Sequence, residues 1–346
     1  MKTYLVTGGS GFFGQILSRY LVSKGHHIVN IDLVKSEFED PAFTSYQGDI
    51  RDLELMEKVF SSHKIDAVFH LAAMLAHERK MMKELWSSNV DGTKNVLDMC
   101  IKYGIGKIIF TSSNCLWGRN FDYPVTEEEE PAPVEIYGRS KLEGEKILMS
   151  EPDKVKSIIF RCPTIMDEGR LGLLAILYSF VDDNKKLWMV GNGENRYQFI
   201  YAKDLARACE LALDYDKGTV FNIGSDEVKS FNYNYQYVVD HSESTSKLAH
   251  FPPRFAKFMM KLCYHLGISP LGVYQYNMIS STFIFDTTKI KRELGWQPTL
   301  KNEDMLLKSY EYYHKNREEI HNRKDVSAHN READMGLAIR VLKFFS

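Results

Sequence analysis

Hydrophobic runs of strand length alternate with amphipathic segments of helix length through the first half of the chain. The apolar runs are rich in β-branched residues and lack polar alternation, and they lie at 4–6, 27–31, 67–71, 107–111 and 157–160. Such runs are typical of strands that are buried on both faces. Helical periodicity follows at 12–23, 83–102 and 135–149. This alternation predicts an α/β fold with a doubly wound parallel sheet.

The pattern becomes less regular after about residue 165, where glycine, asparagine and proline interrupt the apolar runs. A further helix is predicted at 302–317. We therefore predict a first domain at 1–165, to which part of 196–224 returns, and a smaller mixed α/β domain at 166–320. The remainder, 321–346, is a tail. Its last residues are mostly apolar and have the pattern of an amphipathic helix, with Arg340 and Lys343 on a narrow polar face.

Composition and charge exclude several classes of function. The 44 basic and 46 acidic residues give a formal net charge of −2, so we expect no nucleic-acid partner. The five cysteines lack the short spacing of zinc or redox sites, so we expect no metal and a reducing compartment. No apolar run reaches the roughly 18 to 20 residues of a membrane span. The first strand begins at once, without a signal peptide, so we expect a cytoplasmic protein.

A glycine-rich turn joins the first predicted strand to the first helix. Gly8, Gly11 and Gly14 have the spacing GxxGxxG, which permits a tight turn and the close approach of a pyrophosphate to the amides at the start of the helix. Asp32 ends the second strand, where a carboxylate accepts both hydroxyls of an adenine ribose and repels a 2′-phosphate. Lys35 lies three residues further on. The pattern favours NAD over NADP.

A second group of residues is suited to acid/base chemistry. Tyr137 and Lys141 are four residues apart on a predicted helix, so both side chains leave the same face. An ammonium beside the nicotinamide cation is expected to lower the pKa of Tyr137 and make it a usable acid/base. Ser113 ends a predicted strand and can hold a substrate oxygen together with Tyr137.

These motifs together resemble the extended short-chain dehydrogenases/reductases of the nucleotide-sugar epimerase/dehydratase group. The matching segments cover about residues 1–318 and are TGGSGFFG (7–14), Asp32, GDI (48–50), HLAA (70–73), NVDGT (89–93), TSSNCLWG (111–118), YGRSK (137–141), RCPTI (161–165), FIYAKDLA (199–206) and DTTKIKRELGWQP (286–298). The resemblance implies a Rossmann-type domain that holds NAD and a smaller C-terminal domain that closes over a nucleotide sugar. It also implies a homodimer formed through the helices at about 83–102 and 135–150.

The resemblance implies roles for individual residues. The catalytic set is Ser113, Tyr137 and Lys141. The cofactor-binding set is Gly8, Gly11, Phe12, Phe13, Gly14, Asp32, Asp49, Ile50, Leu71, Ala72, Ala73, Asn89, Ser112, Tyr137, Lys141 and Cys162. The substrate-binding set is Met74, Ser113, Asn114, Thr164 and Arg196. His77 and Arg79 are expected on the loop that borders the substrate.

Departures from the family pattern narrow the expected reaction. Sugar 4,6-dehydratases carry an Asp-Glu pair where this chain has Asn114 and Cys115, so dehydration is disfavoured. A thiol at this place also resembles the epimerase-reductases, although a buried spectator Cys115 is the simpler interpretation. Arg196 stands near the place of the arginine that binds the substrate diphosphate, but epimerases of the galactose type would put it at Tyr197. We expect an NAD-dependent nucleotide-sugar epimerase that acts at C4.

Three alternatives remain open from the sequence. The string NRYQF (195–199) and the apolar stretch 255–271 favour a net oxidoreductase, either a 4-keto-sugar reductase or a 3β-hydroxysteroid-type dehydrogenase. A non-catalytic nucleotide sensor is the remote alternative. The tail helix is expected either to pack on the protein itself or to make a peripheral membrane contact.

Overall fold

A sheet of seven parallel strands forms the centre of the protein. The computed structural model describes residues 1–75, 81–252, 258, 281–322, 336–344 and 346. The strands of the sheet are β1 (Thr3–Thr7), β2 (His27–Asp32), β3 (Phe43–Gln47), β4 (Ala67–His70), β5 (Lys107–Ser113), β6 (Lys156–Cys162) and β10 (Thr219–Asn222). Their order is β10-β6-β5-β4-β1-β2-β3. The chain reverses direction across the sheet between β1 and β4, and ligands of such sheets bind at this switch point. The predicted doubly wound α/β fold is confirmed.

Helices cover both faces of the sheet. The flanking helices are α1 (Phe12–Ser23), α2 (Leu53–Ser62), α3 (Met82–Trp86), α4 (Gly92–Lys102), α5 (Ile136–Leu148), α7 (Ala202–Ala212) and α9 (Thr288–Leu294). Buried side chains of α1, α7 and α9 form a core on one face together with Trp296. Those of α2, α4 and α5 form a second core on the other face.

Two parts of this fold differ from the sequence expectation. β3 and α2 were not predicted, although Asp52 caps α2 by accepting hydrogen bonds from the amides of Glu54 (3.0 Å) and Leu55 (3.1 Å). The helix predicted at 83–102 is present without a break, but it contains a π-helical turn at Ser87–Asp91 between α3 and α4. Such turns widen the helix locally and are frequent at functional sites.

The remaining elements pack around a third apolar core beside the carboxyl edge of the sheet. They are β7 (Thr164–Met166), α6 (Leu173–Asp182), β8 (Leu187–Val190), β9 (Phe199–Tyr201), α8 (Phe231–Asp240), β11 (Leu248–Phe251), α10 (Asn302–Lys315) and α11 (Arg317–Asn322). β7 pairs with β9 and β8 pairs with β11, both in parallel. The Asn302 side chain joins these parts: its oxygen accepts from the Phe199 amide (3.0 Å) and its nitrogen donates to the Tyr197 carbonyl (2.7 Å).

The last helix, α12 (Gly336–Phe344), packs against the same core. Ile339 contacts the apolar cluster, and Lys343 forms an ion pair with Asp183 at 2.7 Å. Of the two expectations for the tail, these contacts favour packing on the protein itself. None of the helices in the described part of the chain is long and apolar enough to cross a membrane.

Candidate active site

The glycine-rich turn lies against the end of β4. Gly8 has a φ of +76°, and a Cβ added there would lie 2.7 Å from the Ala72 amide nitrogen. Only glycine combines this backbone conformation with so close an approach. The Gly8 amide donates to the Ile31 carbonyl at 2.8 Å, which ties the turn to β2. Gly11, Phe12, Phe13 and Gly14 follow, with Phe12 as the first residue of α1.

The residues at this edge fit a dinucleotide. One carboxylate oxygen of Asp32 accepts from the Ser10 amide and the other from the Val34 amide, both at 2.9 Å. The carboxylate is thereby fixed at the end of β2 with acceptor capacity left for ribose hydroxyls. Burial raises its pKa, and these backbone hydrogen bonds oppose the rise. Ser112 Oγ is buried, without a hydrogen-bond partner among the described residues, and its position at the end of β5 suits a ligand contact.

Asp49 and Ile50 follow β3. Both oxygens of Asp49 accept from the Arg51 Nε at 3.0 Å, and Asp49 also accepts from the Arg51 amide. The adjacent guanidinium lowers the pKa of Asp49. Arg51 Nη1 also donates a 2.8 Å hydrogen bond to Ser87 Oγ, in the π-helical turn. Ile50 is buried.

Asn89 connects three segments of the site. Its side-chain oxygen accepts from the Met74 amide at 2.7 Å, and its nitrogen donates to the Met74 carbonyl at 3.1 Å and to Ser140 Oγ at 3.0 Å. Ser140 Oγ in turn donates to the Tyr137 carbonyl at 2.8 Å. Asn89 lies in the π-helical turn, so that turn positions it between the loop after β4 and the first turn of α5.

A buried histidine that the sequence analysis left without a role lies beneath this connection. His70 Nδ1 is 2.7 Å from Thr7 Oγ1, and His70 Nε2 is 2.8 Å from Thr93 Oγ1. Thr93 Oγ1 donates to the Asn89 carbonyl at 2.6 Å. Burial is the main reason that the pKa of His70 falls to about 3, so the ring is neutral and bridges the ends of β1 and β4 to α4. The sequence signal that could have identified this role is a histidine at the end of an otherwise apolar strand.

The predicted catalytic residues are brought together at the end of β5. Ser113 ends the strand, and α5 presents Tyr137 and Lys141 one turn apart. A Cβ added at Gly138 would lie 2.2 Å from the Cys115 carbonyl oxygen, so glycine here lets α5 approach the strand end closely. The Ser113 side chain is close enough to Tyr137 to lower the pKa of its hydroxyl.

The charges in this group differ from the sequence expectation. Lys141 Nζ is buried and lies 4.0 Å from the centroid of the Phe110 ring. Burial lowers the pKa of Lys141 to about 8. The expected lowering of the Tyr137 pKa included the charge of bound nicotinamide, and the chain's own side chains do not produce it. Burial, the largest influence, raises that pKa well above its ordinary value, and the neighbouring Ser113 side chain opposes the rise only in part.

Two of the predicted substrate residues meet at a tyrosine. Asn114 Nδ2 donates to the Tyr197 hydroxyl at 2.7 Å, and Thr164 Oγ1 lies 3.3 Å from the same oxygen. Tyr197 is buried, whereas Arg196 is exposed and hydrogen-bonded through its backbone to Thr282. The two positions between which the sequence left the choice therefore differ in burial: Tyr197 contacts Asn114 and Thr164, and Arg196 is exposed to solvent.

The other predicted positions lie along the same edge. Leu71, Ala72 and Ala73 leave β4 toward Met74, and Cys162 ends β6 opposite Ser113. His77, Arg79 and most of the apolar stretch 255–271 lie outside the described residues. Within the described ranges, no cluster of three or more His, Cys, Asp or Glu side chains has the arrangement of a metal site.

Relatives in sequence share this architecture. The profile of the NAD dependent epimerase/dehydratase family matches residues 4–224. The protein y4nG of Sinorhizobium fredii, whose name states no activity, is 36% identical over 321 residues, covering 92% of this chain and 80% of its own. A UDP-glucose 4-epimerase of Lactobacillus helveticus is 26% identical over 341 residues, covering 90% of this chain and 96% of its own.

Solved structures agree in fold. The UDP-glucose 4-epimerase of Thermotoga maritima, determined with UDP-glucose, is 26% identical with a TM-score of 0.74, covering 91% of this chain and 99% of that one. The enzyme WbmG of Bordetella bronchiseptica in complex with NAD has a TM-score of 0.73 at 23% identity over 90% of this chain and 94% of its own, a likeness in fold. The family is NAD-dependent, which confirms the cofactor predicted from Asp32. The resemblance to extended short-chain dehydrogenases/reductases is likewise confirmed, and the chain belongs to the NAD dependent epimerase/dehydratase family.

Proposed function

We propose that the protein is a nucleotide-sugar epimerase that inverts the configuration at C4 through a transient 4-keto sugar. The observation that carries this proposal is the arrangement at the end of β5. Ser113, Tyr137 and Lys141 converge there, while Asn114 and Cys115 occupy the places where the dehydratases have carboxylates. Several relatives named UDP-glucose 4-epimerase support the same reaction.

In this proposal three side chains of the protein act on the oxygen atom at C4 of the sugar. NAD, when bound by the glycine-rich turn and Asp32, supplies the acceptor and then the donor of the C4 hydrogen. Tyr137 takes the proton from the C4 hydroxyl and later returns it, and Ser113 holds the same oxygen by a hydrogen bond. Lys141 lies one turn from Tyr137 and stabilises the tyrosinate by its charge.

The 4-keto sugar must then present its opposite face, while the oxygen at C4 stays within reach of Tyr137. Asn114 and Cys115 have no carboxylate to remove the C5 proton, so elimination does not compete with the return of hydrogen. The cofactor is regenerated in each cycle, and no net oxidation occurs.

A panel of UDP-, dTDP-, GDP- and CDP-sugars tests the proposal. The purified protein is incubated with each sugar without added cofactor, and products are identified by NMR. We expect interconversion of the C4 epimers without accumulation of NADH. Net formation of NADH with no epimer would contradict the proposal and favour the oxidoreductase alternative, and failure to turn over any compound would favour a sensor.

Organisation and assembly belong to the same proposal. We infer that residues 1–165 with part of 196–224 hold the cofactor, that 166–320 close over the substrate, and that the protein acts in the cytoplasm.

Dimerisation through α3, α4 and α5 is supported by the exposed Met82 (40%) and Trp86 (39%) on α3. Sedimentation velocity tests it: a dimer is expected, and Trp86→Glu should shift it toward monomer. Liposome co-sedimentation of the full chain and of 1–322 tests the membrane contact.

A further inference from the structure

Phe110 lies in β5, three residues before Ser113, and the sequence analysis did not single it out. Its side chain is 1% exposed. The ring stacks on His70 of the neighbouring strand, with centroids 5.3 Å apart and planes inclined by 25°. On the helix side α5 approaches at Gly144, where an added Cβ would lie 3.2 Å from the Cζ atom of the ring. The ring is therefore held in place both by the sheet and by α5.

The ammonium of Lys141 lies over this ring, with Nζ 4.0 Å from the centroid. A cation within about 6 Å of a ring centroid is attracted to the negative face of the π-system, and the attraction grows when the site is desolvated. Lys141 is only 3% exposed, so little water competes for its charge. Among the residues that the structure describes, Lys141 Nζ forms no ion pair and donates no hydrogen bond.

The titratable groups around Lys141 come from four elements. They are Cys162 on β6, Glu145 on α5, Cys115 after β5 and His70 on β4. Burial raises the pKa of Cys162 to about 12, so its thiol is uncharged near neutral pH, and His70 is uncharged as well. The Glu145 carboxylate is taken by Arg161, whose Nη2 donates to it at 2.8 Å and whose Nε donates at 3.1 Å. The nearby carboxylate is thus neutralised by another cation.

We propose that Phe110 is a positioning residue, whose cation–π contact keeps the Lys141 ammonium charged and in place on the face of α5 that carries Tyr137. The catalytic consequence rests on the proposed function, in which the charge of Lys141 stabilises the tyrosinate. A carboxylate could also hold the ammonium, but its negative charge would cancel much of the electrostatic effect on Tyr137. The ring has no net charge, so it stabilises the ammonium and leaves its full charge to act on the tyrosine.

Fluorinated phenylalanines at position 110 test the contact, because each fluorine weakens the negative face of the ring while its shape is nearly unchanged. Mono-, di- and trifluorophenylalanine are incorporated there in the full-length, NAD-loaded protein. The pKa of Lys141 is measured by NMR titration of ¹³C-labelled lysine, and its resonance is the one missing from Lys141→Met. We expect this pKa to fall stepwise along the series, by about 1 in total.

The same series at Phe69 is the matched control. Phe69 is likewise buried, in β4, and its ring meets the edge of Tyr4 with centroids 5.6 Å apart. In the described part of the chain no cation lies over the Phe69 ring. Fluorination there should leave the Lys141 pKa unchanged.

The pH profile of epimerisation gives a second measurement for any sugar that is turned over. Loss of the Lys141 proton weakens the stabilisation of the tyrosinate, so it should appear as the basic limb of kcat. With trifluorophenylalanine at position 110 this limb should move about one pH unit lower, while KM changes little. Phe110→Leu should move it in the same direction. A ring that only fills space would leave the limb where it is.

The outcomes separate this inference from the proposed function. The NMR titration needs no turnover, so a stepwise fall of the Lys141 pKa in a protein that epimerises no sugar would uphold the inference while the epimerase proposal fails. A pKa that is constant along the Phe110 series, or that falls equally in the Phe69 series, would overturn the inference and leave the epimerase untouched. Should Phe110→Leu fail to fold, the fluorinated proteins decide the question.

Discussion

The two sides of the candidate site are built in different ways. On the side formed by residues 1–165, the glycine-rich turn is held over a short stretch of sequence, since the Ser10 amide donates to Asp32, 22 residues further on. On the side formed by residues 166–322, the key contacts join segments far apart in the chain. Asn302 binds both Phe199 and Tyr197, which are 103 and 105 residues away in the chain. The first side can therefore be predicted from short sequence motifs. The structure of the second side depends on contacts between segments that are distant in the chain.

The largest effect is expected at the junction of the two sides. Tyr137→Phe removes the hydroxyl that moves the substrate proton, and general acid/base groups contribute about 10²- to 10⁴-fold to rate. We expect kcat for C4 epimerisation to fall by at least 100-fold, measured by NMR, with bound NAD retained. Tyr123→Phe serves as the control, because its ring is 50% exposed and its hydroxyl binds Glu129 on the surface. An unchanged kcat in Tyr137→Phe would remove Tyr137 from the reaction.

The next prediction concerns stability on the first side. Arg161 and Glu145 form an ion pair whose side chains are only 7% and 6% exposed. Arg161→Leu leaves the Glu145 charge buried without its partner, which costs about 3–5 kcal/mol of unfolding free energy. We expect a large fall in the midpoint of urea unfolding, with substantial recovery in the double variant Arg161→Met/Glu145→Met.

A matched control lies on the same helix. Glu143 pairs with Lys146, and both side chains are largely exposed, at 40% and 63%. Glu143→Gln should change stability by only about 0–1 kcal/mol. Equal effects of Arg161→Leu and Glu143→Gln would show that burial does not distinguish the two pairs.

The same contrast explains what the sequence could and could not predict. α1 was predicted with its observed bounds, because the glycine turn and the 3.6-residue period are local signals. β3 has mixed burial and gave no strong pattern, whereas α2 has apolar residues at helical spacing (55, 56, 59 and 60) after the capping Asp52, a local signal that was available. The contacts of Tyr197 with Asn114 and Thr164 could not be predicted, because they join segments that meet only in the folded chain. The π-helical turn around Asn89 also has no distinct sequence period.

A smaller effect is expected from the charge of Lys141. Burial lowers its pKa from 10.5 to about 8, a difference that corresponds to about 3 kcal/mol. Between these pH values the unfolded chain holds the proton and the folded chain does not, so the stability of the unmodified protein rises with pH. Below pH 8 the full cost of the buried charge is present.

Lys141→Met should therefore be more stable than the unmodified protein at pH 7, both freed of cofactor, although it loses activity. Its advantage should shrink from pH 8 to 10.5 in urea titrations. Lys146→Met, which replaces a 63% exposed ammonium, should show no such trend. A stability difference that is constant with pH would contradict the assignment of the cost to a buried charge.

The smallest effect is expected on the second side, at Tyr197. Its hydroxyl accepts from Asn114 Nδ2 at 2.7 Å, and Asn114 directly follows Ser113. Tyr197→Phe removes this acceptor from a buried donor, a loss of about 1 kcal/mol, or about fivefold. If the second side only holds the substrate, KM should rise by about this factor while kcat changes little. A fall in kcat at constant KM would instead place Tyr197 in proton transfer. The division into a reacting first side and a binding second side would then not hold, because a residue from beyond 165 would act on the same oxygen as Tyr137.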